Sequence, residues 1–247
     1  MTEHWLNLTG KRVLIAGAGG LGAAICAGFL EAGARVHIVD VDEHILARTL
    51  ELGGTTCSGT VVDIASRAGA ERAVQDAVDA LGGLDVLMHA VGINQREPID
   101  DIDEKGWQLT IDVNTASFLW LAKAARKHLR RGSRIVVISS VSGVLAHPNH
   151  GSYAASKGAL NQLVRVMAVE WAADGIAVNG IAPAYTITPL TEAYVAAGHE
   201  AELIARVPTG RLGRPEDVVG PALLLASPRA EYVTGQVLLI DGGRTLD

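Results

Sequence analysis

Along this chain, short apolar runs alternate with longer stretches whose apolar positions recur every three or four residues. The first run, 12–17, is apolar after Arg12 and stops at glycine, as a strand buried on both faces does. A helical pattern over 23–32 follows and closes at Gly33. The same two signals then repeat. Strands are predicted over 35–40, 57–62, 84–92, 134–139, 177–183 and 237–240, and helices over 42–52, 67–81, 104–129, 152–173 and 215–225. In the helix over 152–173 the stripe Leu160, Leu163, Val164, Met167 and Trp171 keeps helical period. Repeated strand–helix–strand units imply a parallel sheet with helices on both faces. The fold class is therefore α/β, a doubly wound three-layer α/β/α sheet of about seven strands. Neither a linker nor a repeat divides the chain, so 1–247 reads as one domain. The stretch 184–210 has few stop signals and several alanines, and a lid that orders on binding is expected there.

Composition narrows the function classes. Hydrophobic residues make up 49% and charged residues 19%, with 28 glycines, which suits a large core with many tight turns and excludes disorder. A net charge of −6 gives no reason to expect nucleic acid or an anionic membrane surface as partner. Cys26 and Cys57 lack metal spacing and do not make a disulfide framework. The first residues carry no basic segment leading into an apolar core, and no run reaches the length of a membrane helix. A cytoplasmic protein is expected.

Two stretches carry chemistry. Gly17, Gly19 and Gly22 form a GxGxxG turn between a strand and a helix, the context that makes the pattern a dinucleotide fingerprint of Rossmann type. These glycines allow a pyrophosphate to approach the helix N-terminus, whose free N–H groups and dipole favour an anion. Asp40 ends the next strand; a carboxylate there accepts from both ribose hydroxyls and repels a 2′-phosphate, favouring NAD over NADP. A turn or cap role for Asp40 is the alternative. In the second stretch, Tyr153 and Lys157 are four apart on a helix and Ser140 follows a buried strand. A nearby cation lowers a phenol's pKa and makes it usable as a general acid/base. Taken alone, the same spacing also suits a surface pair.

With these residues in place, the chain resembles the short-chain dehydrogenase/reductase family over essentially its whole length. The resemblance rests on Gly17 to Gly22, Asp63, Gly92, Asn114, Ser140, Tyr153-x-x-x-Lys157, Asn179, Pro183 and Thr188, and on the C-terminal Asp241-Gly-Gly. It implies that Tyr153 exchanges a proton with the substrate oxygen and that Ser140 holds that oxygen. Lys157 would lower the Tyr153 pKa and bind the nicotinamide ribose, and Asn114 would position a water in a proton relay. For the cofactor, NAD, it implies a lining from Gly17, Gly19, Gly20, Leu21 and Gly22, then Asp40, Val41, Asp63 and Ile64. Ala90, Gly92, Pro183, Thr186 and Thr188 would complete that lining, with Tyr153 and Lys157. A homotetramer, or a homodimer, built from the helices over 104–129 and 152–173 and the C-terminal segment is also implied.

The chain departs from the family pattern in several places. Ala16 stands where a threonine is usual, the glycine loop is one residue shorter, and Ala184 replaces a glycine. His89-Ala-Val-Gly92 replaces Asn-Asn-Ala-Gly; His89 reads as a hydrogen-bonded sheet residue rather than a base. The substrate, a small molecule, is expected to meet Asn94, Arg96, Ser140, His147, His150, Tyr153 and Tyr185, with Gln95, Asn149 and Tyr194 nearby. That polar lining suits a polyol or sugar acid, and 92–98 is weakly similar to gluconate-oxidising members of the family. No metal is expected, since no carboxylate or cysteine cluster accompanies the histidines. A 3-oxoacyl-thioester reductase is the alternative; Asp40, and Asp174 where carrier-using relatives tend to have arginine, stand against it, while Arg131 remains available to a carrier. A non-catalytic NAD(H) sensor is the second alternative.

Overall fold

The structure is a computed structural model that describes residues 5–246, apart from the side chains of Leu190, Ala193 and Tyr194; Tyr194 as a substrate neighbour therefore lies outside the described residues. The strands are β1 (Arg12–Ala16), β2 (Arg35–Asp40), β3 (Cys57–Val61), β4 (Val86–His89), β5 (Arg134–Ile138), β6 (Ala177–Pro183) and β7 (Val237–Ile240). They pair in parallel in the order β3-β2-β1-β4-β5-β6-β7. The order reverses between β1 and β4, and the carboxyl ends of those strands open the crevice where such sheets bind ligands.

Strand alternation explains why the apolar runs are continuous. Val13 and Ile15 of β1 pack in one cluster with Ile25, Phe29, Ile38 and Leu223. Leu14 and Ala16 pack in the other, with Phe118, Leu121, Leu160 and Val164. β1 thus feeds two cores, one per sheet face. Helices α1 (Gly20–Glu31), α2 (Glu43–Leu50), α3 (Arg67–Leu81), α4 (Glu104–Ile111), α5 (Ser117–Arg126), α6 (Gly151–Trp171), α7 (Pro189–Tyr194), α8 (Glu200–Ile204) and α9 (Glu216–Ala226) cover the faces and the edge of the site. Cys26 and Cys57 meet in the core as free thiols, 3.9 Å apart.

The structure redraws some of these elements, and the strand expected over 84–92 is shortened to Val86–His89. The first helix starts at Gly20 rather than 23, because the glycine loop itself winds into its first turn. The stretch 104–129 is not one helix: a π-turn, Asp112–Ala116, separates α4 from α5, which ends at Arg126. A widened turn leaves the hydrophobic period nearly intact, so the pattern hides it. The stretch 184–210 holds α7 and α8 joined by a second wide turn, Val195–His199, with Gly198 at φ 93°. Among the described residues no helix is long and apolar enough to cross a membrane, and no group of three His, Cys, Asp or Glu side chains could hold a metal.

Candidate active site

The glycine loop is shaped by close packing. A Cβ on Gly22 would lie 1.9 Å from the Gly17 carbonyl oxygen, and one on Gly17, at φ 97°, would lie 2.9 Å from the Ala90 carbonyl. Neither position has room for a side chain. Gly19 differs, since a Cβ there would meet nothing nearer than Ile45 Cγ2 at 3.7 Å. Gly19 also precedes α1 with no side-chain cap, and the first turn of α1 carries no acid. An uncapped, glycine-lined helix N-terminus of this kind accepts a phosphate-bearing ligand. Across from it stands Thr188, the N-cap of α7, whose Cβ would be 3.5 Å from a Cβ on Gly20. The Asp40 carboxylate accepts from Ala18 N–H (2.7 Å) and Asp42 N–H (2.9 Å), so it braces the loop and keeps acceptor capacity on both oxygens. The residues present fit a dinucleotide. Asp63 is exposed and accepts from Ala65 N–H at 2.9 Å, whereas the Ile64 side chain is buried in the core. Val41 is exposed beside Asp40, and Thr186 is buried next to Pro183 and Ala184.

On the other side of the crevice lie Ser140, Tyr153, Lys157 and Asn114. Lys157, 3% exposed, donates from Nζ to the Ile138 carbonyl (3.0 Å) and lies 5.6 Å from the Tyr153 ring centre. Burial pushes the Lys157 ammonium down to about 8. Burial also raises the Tyr153 phenol above its ordinary value, against the opposing pull of a Ser140 hydrogen bond and the Arg96 charge. The shift at Tyr153 is thus upward rather than the lowering expected from Lys157: loss of water around the half-buried phenol and the buried ammonium disfavours charge on each. Ser140 Oγ also accepts from Ser142 N–H at 3.1 Å. Asn114, fully buried in the π-turn, uses its amide to clamp the backbone of Ile93, accepting from its N–H (2.7 Å) and donating to its carbonyl (2.9 Å). Its side chain therefore fixes the bend after β4. Gly92 fills that bend, where a Cβ would come within 3.3 Å of Lys157 Nζ and 3.4 Å of Asn114 Oδ1.

The expected substrate residues also come together. His150 and Tyr153 rings lie 6.0 Å apart, His150 and His147 5.6 Å, and His147 and Tyr185 6.0 Å. Burial lowers the pKa of both histidines, and Arg96 adds to that on each. Arg96 and Tyr185 border a shallow cleft with Thr186, Val195 and Leu203. Among the described residues, Asn94 Oδ1 and His147 Nε2 are buried without hydrogen-bond partners, which leaves polar capacity at the rim. A larger cleft of about 610 Å³ borders Tyr185, Arg211 and Asp241 and includes none of Ser140, Tyr153 or Lys157.

A family profile described as "Enoyl-(Acyl carrier protein) reductase" matches residues 15–245. Gluconate 5-dehydrogenase of Gluconobacter oxydans is 34% identical over 97% of this chain and 96% of its own length. The chain belongs to the short-chain dehydrogenase/reductase family. A tropinone reductase homolog of Arabidopsis thaliana is 36% identical over 100% of the chain and 96% of its own. Among solved structures, a gluconate 5-dehydrogenase from Burkholderia cenocepacia in complex with NADP and tartrate superposes with a TM-score of 0.90 at 35% identity, covering 97% of this chain and 96% of that one. A 3-ketoacyl-(acyl-carrier-protein) reductase from Brucella melitensis complexed with NADH reaches 0.90 at 27% identity, covering 96% and 99%.

Within this family framework, some supporting residues escape sequence reasoning. Ser156 Oγ donates to the Tyr153 carbonyl (2.7 Å) and receives Asn114 Nδ2 (3.0 Å), while Thr115 Oγ1 donates to the Ser156 carbonyl (3.0 Å). The π-turn thus grips α6 between Tyr153 and Lys157. Serines and threonines inside helices give no distinctive sequence signal. Their one trace is polarity at positions facing a neighbouring helix.

Proposed function

We propose that this short-chain dehydrogenase/reductase is an NAD-dependent oxidoreductase that interconverts a secondary alcohol and a ketone on a polar, polyol- or sugar-acid-like substrate. The observation that carries the reading is buried Lys157, 5.6 Å from the Tyr153 ring centre, with the ring chain Tyr153–His150–His147–Tyr185 running from it to the side of Arg96. Tyr153 Oη gives its proton to the carbonyl oxygen in reduction and takes the alcohol proton in oxidation. A phenol raised by burial is protonated at neutral pH and so stands ready as the acid. Ser140 holds the oxygen on which charge develops. Lys157, with a value near 8, retains a proton at neutral pH and can replace the one Tyr153 releases. Asn114 keeps Gly92 and Ile93 against Lys157. The nicotinamide, when bound, supplies the hydride chemistry. Gly19, Gly20 and Leu21 at the α1 N-terminus would hold its pyrophosphate, Asp40 the adenosine ribose, and Thr186 and Thr188 the carboxamide. One relative's structure carries NADP and another NADH; Asp40 favours NAD here.

Absorbance at 340 nm with panels of polyols, sugar acids and ketones, for wild type and Tyr153→Phe, tests the proposal. Turnover by wild type that collapses in the variant is expected. NAD binding without turnover of any member would instead favour a sensor. The carrier-protein reading has the Brucella structure on its side. Against it, Asp174 is ion-paired with Arg126 and Arg131 donates to the Ala173 carbonyl at 2.9 Å. A homotetramer is also part of this reading. Val169 is 80% exposed on α6, Trp107 and Leu109 are exposed on α4, and Leu238 and Leu239 on β7, apolar surface that association would cover. Sedimentation as a stable monomer would refute it.

A further inference from the structure

His89 closes β4, the central strand, and is fully buried against the edge of Phe118, ring centres 5.5 Å apart. Its Nε2 lies 2.8 Å from Ser117 Oγ, and Ser117 Oγ donates to the Val113 carbonyl at 2.6 Å. A hydroxyl has one proton to give. Ser117 has committed it, so His89 must be the donor and is held as the neutral Nε2–H tautomer. Burial and the nearby Lys157 charge keep it neutral, with a value of about 3. The Val113 carbonyl belongs to the π-turn, where the Ser117 N–H reaches back to Asp112. That turn then presents Asn114 to Ile93 and Ser156, and Thr115 to Ser156.

We infer that His89 and Ser117 are positioning residues: their hydrogen-bond chain pins the π-turn to the central strand and thereby sets Asn114, Gly92 and the Tyr153–Lys157 segment in place. The sequence marks His89 as a hydrogen-bonded sheet residue and does not mark Ser117 at all. The connection is continuous on hydrogen bonds, from His89 through Ser117 and Val113 to the turn, and from Asn114 through Ser156 to the Tyr153 carbonyl. The other ring nitrogen, Nδ1, is buried without a partner among the described residues. A half-satisfied buried imidazole stabilises a fold poorly, so an apolar replacement should cost function more than stability. This separates a positioning role from a merely structural one.

The test compares His89→Leu, His89→Gln, Ser117→Ala and the double variant His89→Leu/Ser117→Ala in the full chain. The first readout is amide hydrogen exchange at Ile93, whose N–H is bonded to Asn114. Exchange there should rise roughly tenfold in His89→Leu and in Ser117→Ala, with β1 amides unchanged. His89→Gln, whose amide nitrogen reaches as far as Nε2, should stay within about threefold of wild type. The second readout is kcat with whichever sugar acid or ketone wild type turns over, expected to fall roughly tenfold at constant NADH affinity. The double variant should be no worse than the worse single one, because both act on one link. The kinetic arm rests on the reading of Tyr153 as proton carrier; the exchange arm needs no substrate, so a failed substrate screen leaves it decisive. Should His89→Leu fail to fold, Ser117→Ala, which removes one oxygen atom, carries the same test. Unchanged Ile93 exchange, equal loss of protection across β1, or additive losses in the double variant would each overturn the inference.

Discussion

The two walls of the crevice are built in different ways. The wall assigned to the nucleotide in this proposal is mostly backbone: the six residues from Gly17 to Gly22, whose shape follows from where a Cβ has no room, at Gly17 and Gly22. The substrate wall is made of side chains brought from 92–97, 140–150, Tyr185 and α6, and held by a polar chain through Asn114, Ser156 and the π-turn. A backbone site tolerates substitution almost everywhere except at a few steric points. A side-chain site fails when any bond in its support network fails. Under the proposed function, that difference would also separate binding from chemistry, the first wall offering N–H groups and the second protons.

Tyr153→Phe should break the comparison hardest. Removing the phenol oxygen should lower kcat by roughly 10²–10⁴-fold while the melting temperature and NADH binding hold, as fluorescence titration would reveal. A small loss would move the proton to another group. On the nucleotide wall, Gly22→Ala should destabilise the fold by about 1–3 kcal/mol or more through overpacking against Gly17 and abolish NADH binding. Gly19→Ala should leave thermal stability nearly unchanged and weaken only the cofactor. Equal destabilisation by both would erase the steric distinction drawn between them.

Lys157 gives a pH test on the other wall. Its folded value is about 8 against 10.5 for free lysine, so between these pH values the unfolded chain binds more protons. Stability therefore rises with pH across that window, and the cost of burying the charge is fully present below about 8. Lys157→Met lacks this dependence. The difference between its unfolding free energy and that of wild type should change by about 1–3 kcal/mol between pH 7 and pH 10, read from denaturant melts. A constant difference would mean Lys157 keeps an ordinary pKa. The smallest effect is expected from Asp40→Ala, a roughly tenfold drop in the NAD-over-NADP preference; unchanged selectivity would place the ribose contact elsewhere.

Much of this was readable before the fold was known. Helix bounds at Arg67–Leu81 and strand bounds at Ala177–Pro183 and Val237–Ile240 coincide with the predicted ones, because caps, glycines and uninterrupted apolar runs are local signals. The residues Asn114, Ser140, Tyr153 and Lys157 were nameable from spacing and resemblance. The break between α4 and α5 was not, since a π-turn shifts the register by less than the width of an apolar stripe. Nor were Ser117 and Ser156, whose importance lies in what faces them.

The sequence by itself determined the order of strands and helices, the glycine turn, Asp40 at a strand end and the Tyr153–Lys157 spacing, all set by interactions within a few residues. Only the tertiary structure decided how those groups are tuned. Burial of Lys157, partial burial of Tyr153, the commitment of the Asn114 amide to Ile93 and the tautomer of His89 depend on segments far apart in the chain. Desolvation and hydrogen-bond partnership are properties of a packed environment, and the packing is created by the whole fold rather than by any stretch of it.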